Sequence, residues 1–501
     1  MQKLTITLGG RRALPAVVGL ALVSAGLHLA SSAEAAVGYG GATYDNATQT
    51  GLLSQSLSST PGATAGDGTA VGYGVKYTAT VNKGCRVVRW GASGTTATEL
   101  GNLGTDGKGY TDNFVYAINT AGVVVGYGVK YTATVNKGYR AIRWDASGTA
   151  ATELGNIGTD ASGSAYDVAV AINNSGAAAG YGNTFSSGVS KGYRAVRWDG
   201  SGVATELGNL GTDGNGNADN RANAINAFGT VVGYGDKFAE GLSVGNRAVR
   251  WNGLGIATEL GNLGTDGNGN ADNRALAVNA SGTTVGYGVK YAAGVSKGYC
   301  AIRWDASGTT ATELGTLGTN TNGYGYNQAY AINATGTAVG TGFKYTTVGV
   351  FKGNRAARWD ASGIVAKELG NLGTAANGYA DDFAYAINAA GITVGQAEDY
   401  DVNGVYLALR AVVWGTDGVA IDLNTLLAPN SGWVNLYDAR SISDTGWITG
   451  LGLFDPDGTG GQAAYDRAFL LQVPEPASLP VLALGMTALL SRRRRRQSPE
   501  E

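Results

Sequence analysis

Apolar and polar positions alternate along this chain in short runs and never settle into a helical period. In one stretch the runs are 116–119 (YAIN), 123–131 (VVVGYGVKY), 139–145 (YRAIRWD) and 152–157 (TELGNI). Each has four to nine residues and is bounded by Gly, Asn, Asp or Ser, the residues that bond their own backbone or accept positive φ in turns. They predict four short strands. In the third run, alternation puts Arg140, Ile142 and Trp144 on one face and Ala141 and Arg143 on the other.

The same four-run unit returns down the chain. Its tryptophans, Trp90, Trp144, Trp198, Trp251, Trp304, Trp359 and Trp414, are spaced 54, 54, 53, 53, 55 and 55 residues apart. A unit of this size cannot bury its apolar face alone and is stacked beside copies of itself. The second run occurs eight times, at Val71, Val125, Ala179, Val232, Val285, Val339, Val394 and Thr449. The third also occurs eight times if 467–471 (RAFLL) is the last copy, but the fourth occurs only seven times and ends at 420–423. An amino-terminal stretch beginning at residue 36 precedes the first complete runs. If it supplies the missing outer strand, both open sheet edges are paired. The expected fold is therefore all-β, a β-propeller of about eight four-stranded blades closed by the amino-terminal strand. Seven blades and an open β-solenoid are the alternatives.

Composition narrows the chemistry. Glycine is 82 of 501 residues and proline only 8, without a collagen period, so the glycines punctuate turns. The single histidine, His28, falls in the leader described below. A Ser-His-Asp or Cys-His nucleophile, a histidine base and a histidine-held zinc thus lack their central residue. Cys85 takes the Tyr139 position of its unit and Cys300 the Arg140 position, four units apart, so free thiols are expected rather than a disulfide.

Both ends read as addresses. Lys3, Arg11 and Arg12, an apolar run over 13–30 and a small-x-small site at Ala33, Glu34 and Ala35 predict a signal peptide over 1–35. The repeat domain is expected over 36–472. A segment at 473–496 then combines Val473, Pro474, Glu475 and Pro476 with the apolar run 477–491 and Arg492, Arg493, Arg494, Arg495 and Arg496, and 497–501 is a cytoplasmic tail. The apolar run predicts a short transmembrane helix. The arginines resist translocation and leave the bulk of the chain outside that membrane. Without leader and tail, the 36 basic residues fall by eight and the 38 acidic by three, a net charge of −7. So acidic a body is a poor nucleic-acid binder.

The tripartite ending resembles the PEP-CTERM sorting signal of exported Gram-negative bacterial proteins. The resemblance implies processing by an exosortase in a bacterium that makes exopolysaccharide, with transient anchoring in the inner membrane before delivery to the outer envelope or matrix. The repeat is similar to the HAF repeat of exported bacterial proteins, with Ala117, Ile118, Asn119, Val125 and Gly126 matching and Arg-Ala-Ile replacing the His-Ala-Phe core. That likeness implies architecture and is silent on activity.

Candidate chemistry sits in the connections and on the tyrosines. Asp213, Asn215, Asn217 and Asp219, and again Asp266, Asn268, Asn270 and Asp272, place oxygens at every second position of a glycine-rich loop, a pattern that wraps Ca²⁺. The sixth-place glycine and twelfth-place glutamate of such loops are missing, and Asp-Gly and Asn-Gly turns account for the same residues. The paired arginines of the third run read as bridges to Glu153-type carboxylates or backbone carbonyls, or as a ligand ring. Tyr127, Tyr131, Tyr181, Tyr234, Tyr287 and Tyr291 offer a platform for sugar rings or filling between blades. The sequons at Asn46, Asn173, Asn279 and Asn333 read as turns. The expected function is non-enzymatic: an exported structural or binding module of the cell envelope or exopolysaccharide matrix, contacting polysaccharide or matrix protein. The alternative is a secreted polysaccharide-degrading propeller using carboxylates, with Asp381, Asp382, Glu398, Asp399 and Asp401 as the clustered acids.

Overall fold

The computed structural model describes residues 37–39 (backbone only), 66–79, 81–91, 97–458, 461 and 463–473. Within them the alternating runs are antiparallel strands. In the unit containing Trp144 these are Asn113–Ile118, Val124–Thr132, Val135–Trp144 and Ala151–Glu153, paired in chain order. The second and third strands join through a two-residue turn, Ala133 and Thr134, both at positive φ. That is the hairpin turn whose twist matches the strands. Gly126 lets the first strand close on the second, since a Cβ there would lie 2.0 Å from the Phe114 carbonyl oxygen.

Eight copies of this unit follow one another. Six have four strands, and the first has three described strands, Ala70–Thr78, Val81–Trp90 and Ala97–Glu99. The last comprises Trp433–Ile442, Trp447–Phe454 and Tyr465–Gln472, with Val37–Tyr39 as its fourth, antiparallel strand, Val37 opposite Leu470. Among the described residues the last unit has no fourth strand of its own, and the amino-terminal strand takes that place. Neighbouring units also share short parallel bridges, among them Gly138 to Ala165, Leu210 to Lys237 and Gly298 to Gly325. Among the described residues one 3-10 turn, Leu423–Leu426, precedes the last unit.

The core lies between units, which is why the strands are apolar on both faces. Ile142 and Trp144 pack with Val115, Ile118 and Val124 onto Val71, Val87 and Leu100 of the preceding unit. Ala141, with Ala117, Val125 and Leu154, packs onto Ala169, Ala178, Val196 and Trp198 of the following one. In most of these interfaces a tryptophan of one unit meets alanines and valines of its neighbour, so the layers interdigitate. Seven such clusters join consecutive units, and an eighth sets Ala70, Val88 and Trp90 of the first against Leu470 and Trp447 of the last.

Polar ties repeat at the same interfaces. The Trp144 indole N–H donates to the Gly101 carbonyl of the preceding unit (2.8 Å), and the Gly101 N–H donates back to the Thr149 carbonyl. Asn119 accepts the N–H groups of Ala121 and Val123, closing its own turn, and donates its side-chain amide to the Asn173 carbonyl of the next unit (3.0 Å). Asn173, Asn226, Asn279, Asn333 and Asn388 continue this belt to Ser443. The sequons at Asn173, Asn279 and Asn333 are therefore turns. Val473, expected to open the tail, is buried against the last unit and donates its N–H to the Gly446 carbonyl.

The signal peptide over 1–35, the sequon at Asn46, the sorting residues Pro474, Glu475 and Pro476, the tail helix and Arg492–Arg496 lie outside the described residues. Among the described residues no helix is long and apolar enough to cross a membrane.

Candidate binding face and carboxylate cluster

The long connections between units share one rim with the hairpins joining second and third strands. Arg140 holds the two together. Its Nη1 donates to the Ala165 carbonyl (2.9 Å) and its Nη2 to that of Gly163 (3.0 Å), while its Nε faces Glu153 at 3.2 Å. Lys130 completes the clamp on Glu153 at 2.6 Å. The second arginine works on the opposite face, Arg143 reaching the Gly200 carbonyl of the next unit (2.7 Å). These guanidiniums are committed to backbone carbonyls, the bridging role rather than the ligand ring. Cys300 interrupts the first series and Val413 the second. The two cysteines are free, and burial pushes the thiols of Cys85 and Cys300 up to about 11 and about 12.

A chain of aromatic rings runs beneath this rim. Tyr73, Phe114, Tyr127, Tyr139, Tyr166 and Tyr193 follow one another with ring centres 4.9, 5.0, 5.4, 5.2 and 5.6 Å apart, and Tyr181 lies 5.5 Å from Tyr193. Every member is half-buried. Arg221 then stacks over Tyr181 and Tyr193 at 4.9 and 4.7 Å, and Arg274 over Tyr234 at 4.6 Å. A second run links Tyr287, Tyr299, Tyr326 and Phe343. Burial pushes the pKa of Tyr127 and Tyr181 up, so these rings stay neutral and present π faces.

The sequence named only the second-strand tyrosines of this arrangement. Phe114, Arg221 and Arg274 share one position in the first strand, and Tyr139, Tyr193 and Tyr299 share one in the third. Their common signal is a bulky residue at a fixed offset from the buried first-strand Asn, visible once the units are aligned by strand.

The two loops expected to wrap calcium close on themselves. The Asp213 carboxylate accepts the N–H groups of Asn215 and Asn217 and the Asn217 side-chain amide, all at 2.7–2.8 Å. Those hydrogen bonds, the one from the Asn217 N–H first, hold its pKa below the usual carboxylate value. Asp219 instead makes a two-pronged pair with Arg221 at 2.9 Å. Asp266 repeats the turn with Asn268 and Asn270, and Asp272 faces Arg274. The alternating oxygens thus serve amides and guanidiniums rather than a common point. Among the described residues no three His, Cys, Asp or Glu side chains gather as a metal site.

The clustered acids of the seventh unit do come together, in part. The Asp381 N–H donates to Glu398 Oε2 (2.9 Å), while Tyr379 donates to Asp381 (2.6 Å) and Tyr400 to Glu398 (2.7 Å). Asp399 pairs with Arg410 at 3.2 Å, and Asp401 is spent on the hairpin turn, accepting from Asn403 and Val405. Asp382 is 0% exposed, and burial pushes its carboxyl up to about 8 against the pull of Arg355. It belongs to a ring the sequence reading missed. Asn113, Asp167, Asn220, Asn273 and Asn327 stand at the same place near the start of the first strands of the second to sixth units, each 0–1% exposed and each with side-chain atoms that have no partner. Asp382 is therefore a scaffold position, and Asp381 and Glu398 are the acids left for chemistry.

No family model and no curated protein matches the chain. Among solved structures it is similar to a puromycin hydrolase S511A mutant complexed with PGG, at 12% identity and a TM-score of 0.42, covering 85% of this chain and 62% of that one. The β-propeller domain of the Trilobed protease from Pyrococcus furiosus gives 12% and 0.38, covering 75% and 97%. Pyrococcus horikoshii acylaminoacyl peptidase gives 11% and 0.38, covering 74% and 52%. The chain spans about three fifths of the puromycin hydrolase and half of the acylaminoacyl peptidase. These hydrolase and peptidase structures overturn the expectation that the chain is not an enzyme, and it is withdrawn. At such scores they assign no active site to this chain.

Proposed function

We propose that the chain is an exported, closed eight-bladed propeller that binds an extracellular polysaccharide along the half-buried aromatic and arginine arc of its first five units. The observation that carries this reading is the arc itself. Seven aromatic rings in unbroken contact, continued by guanidiniums stacked on tyrosine, offer the apolar faces on which pyranose rings lie and the donors that meet their hydroxyls. Closure is supported by the eighth interface between first and last units and by the amino-terminal strand on the last sheet. Delivery to the envelope or matrix through the PEP-CTERM-like tail, with an exosortase as processing partner, completes the proposal. Affinity electrophoresis through gels containing soluble bacterial polysaccharides tests it. Retardation by at least one polymer, lost in Tyr139→Ala/Tyr193→Ala, is expected.

A second reading adds hydrolysis of that polymer, favoured by the Asp381 and Glu398 pair with its two tyrosine hydroxyls. Paired carboxyls supply the acid and base of glycoside cleavage. Release of reducing ends that disappears in Glu398→Gln and Asp381→Asn is its expected signature. Equal release by wild type and both variants removes it.

A further inference from the structure

In the first seven units the hairpin between second and third strands carries an exposed aliphatic side chain at one place. Val81, Val135, Val189, Leu242 and Val295 are 52–73% exposed in the first five units, and each directly follows the turn. Val350 and Val405 occupy the corresponding places in the next two. A single exposed aliphatic residue is ordinary. Seven at one structural position, once per unit on one rim, form a patterned apolar surface.

In the first three units the charges on this rim repeat at the same pitch and in both signs. Lys83, Lys137 and Lys191 stand two residues past the aliphatic tip, and Asp106, Asp160 and Asp213 cap the loops beside them. Lys137 Nζ donates to the Ser162 carbonyl (2.7 Å) and Lys191 Nζ to that of Asn215 (2.8 Å), which fixes each lysine beside its acidic loop. A polyanion or an anionic lipid surface would meet as many carboxylates as ammonium groups here.

We propose that two copies of this chain dock face to face through the ring of hairpin tips. The partner must present aliphatic tips and alternating charges at the same angular pitch, and a second copy turned over about a two-fold axis does so. In that arrangement tips fall between tips and lysines face the capped aspartates. A stable dimer takes about 800 Å² from each partner, or about 100 Å² per tip over seven tips, which is the surface of an exposed valine with part of its turn.

Sedimentation velocity of the full chain in detergent tests this, with two variants. Val135→Glu/Val189→Glu/Leu242→Glu alters the tips. Phe228→Glu/Leu254→Glu alters residues 80% and 83% exposed on turns of the opposite rim. Wild type and the opposite-rim variant are expected at twice the chain mass, and the tip variant at half of that with an unchanged melting temperature. A monomeric wild type overturns the proposal, as does a dimer that survives in the tip variant. A wild type that is monomeric yet pellets with phosphatidylglycerol vesicles overturns it in favour of a membrane surface.

Discussion

Replacing Asp167 by Asn probes the buried ring between units. Asn113, Asn220, Asn273 and Asn327 hold the same place, so the amide fits the site without repacking. Burial raises the Asp167 carboxyl from 3.8 to about 7, with Arg140 pulling it down and Glu153 pushing it up. A rise of that size corresponds to about 4 kcal/mol, at 1.36 kcal/mol for each tenfold change. Between pH 3.8 and about 7 the folded chain keeps a proton that the unfolded chain has released. Stability from this group is therefore full at acid pH and lost as pH rises through 7. Urea denaturation followed by tryptophan fluorescence is a suitable assay, because the repeat tryptophans sit at the interfaces concerned. Relative to wild type, Asp167→Asn should gain about 4 kcal/mol between pH 4 and pH 8. A constant difference refutes the reasoning. A gain toward acid would mean that Asp167 is an ion-pair partner of Arg140.

Three further outcomes follow from the repeat. Cys300→Arg restores the guanidinium clamp seen at Arg140, with Glu313 in place to pair, and should raise stability by about 1–3 kcal/mol; an unchanged or lower melting temperature contradicts the clamp. Asn226→Ala removes a donor to the Asn279 carbonyl and an acceptor for the N–H groups of Phe228 and Thr230. It should cost about 2–3 kcal/mol in denaturant titration, more than Asn226→Asp, which keeps the turn. Asp266→Ala removes the acceptor that closes its loop and should lower the melting temperature slightly, equally in calcium and in EDTA; a loss seen only in calcium would return the loop to a metal role.

Much of this architecture was legible because it is local and repeated. Tryptophan spacing gave the unit, alternation in 139–145 split its residues between two interfaces, and the missing fourth strand pointed to the amino terminus, where Val37–Tyr39 pairs with the last unit. The functional arrangement was less legible, because it depends on which strand positions meet across an interface. Phe114 and Tyr73 are far apart in sequence, yet their rings lie 4.9 Å apart. The buried ring was hidden for a different reason. An Asn or Asp opening a strand reads as turn chemistry, and only burial to 0–1% shows that these side chains face inward. The loop pattern carried two readings because alternating oxygens suit both a cation and a turn that bonds its own amides, the use Asp213 makes of them.

The central claim is that the arc from Tyr73 to Arg274 is a polysaccharide-binding surface. A glycan array probed with the full chain, beside Tyr139→Ala/Tyr193→Ala and Arg221→Ala variants of unchanged melting temperature, measures it most directly. Binding of the wild type to extended glycans, lost in the tyrosine variant and weakened in the arginine variant, is the predicted result. No glycan bound, or equal binding by all three proteins, would contradict it.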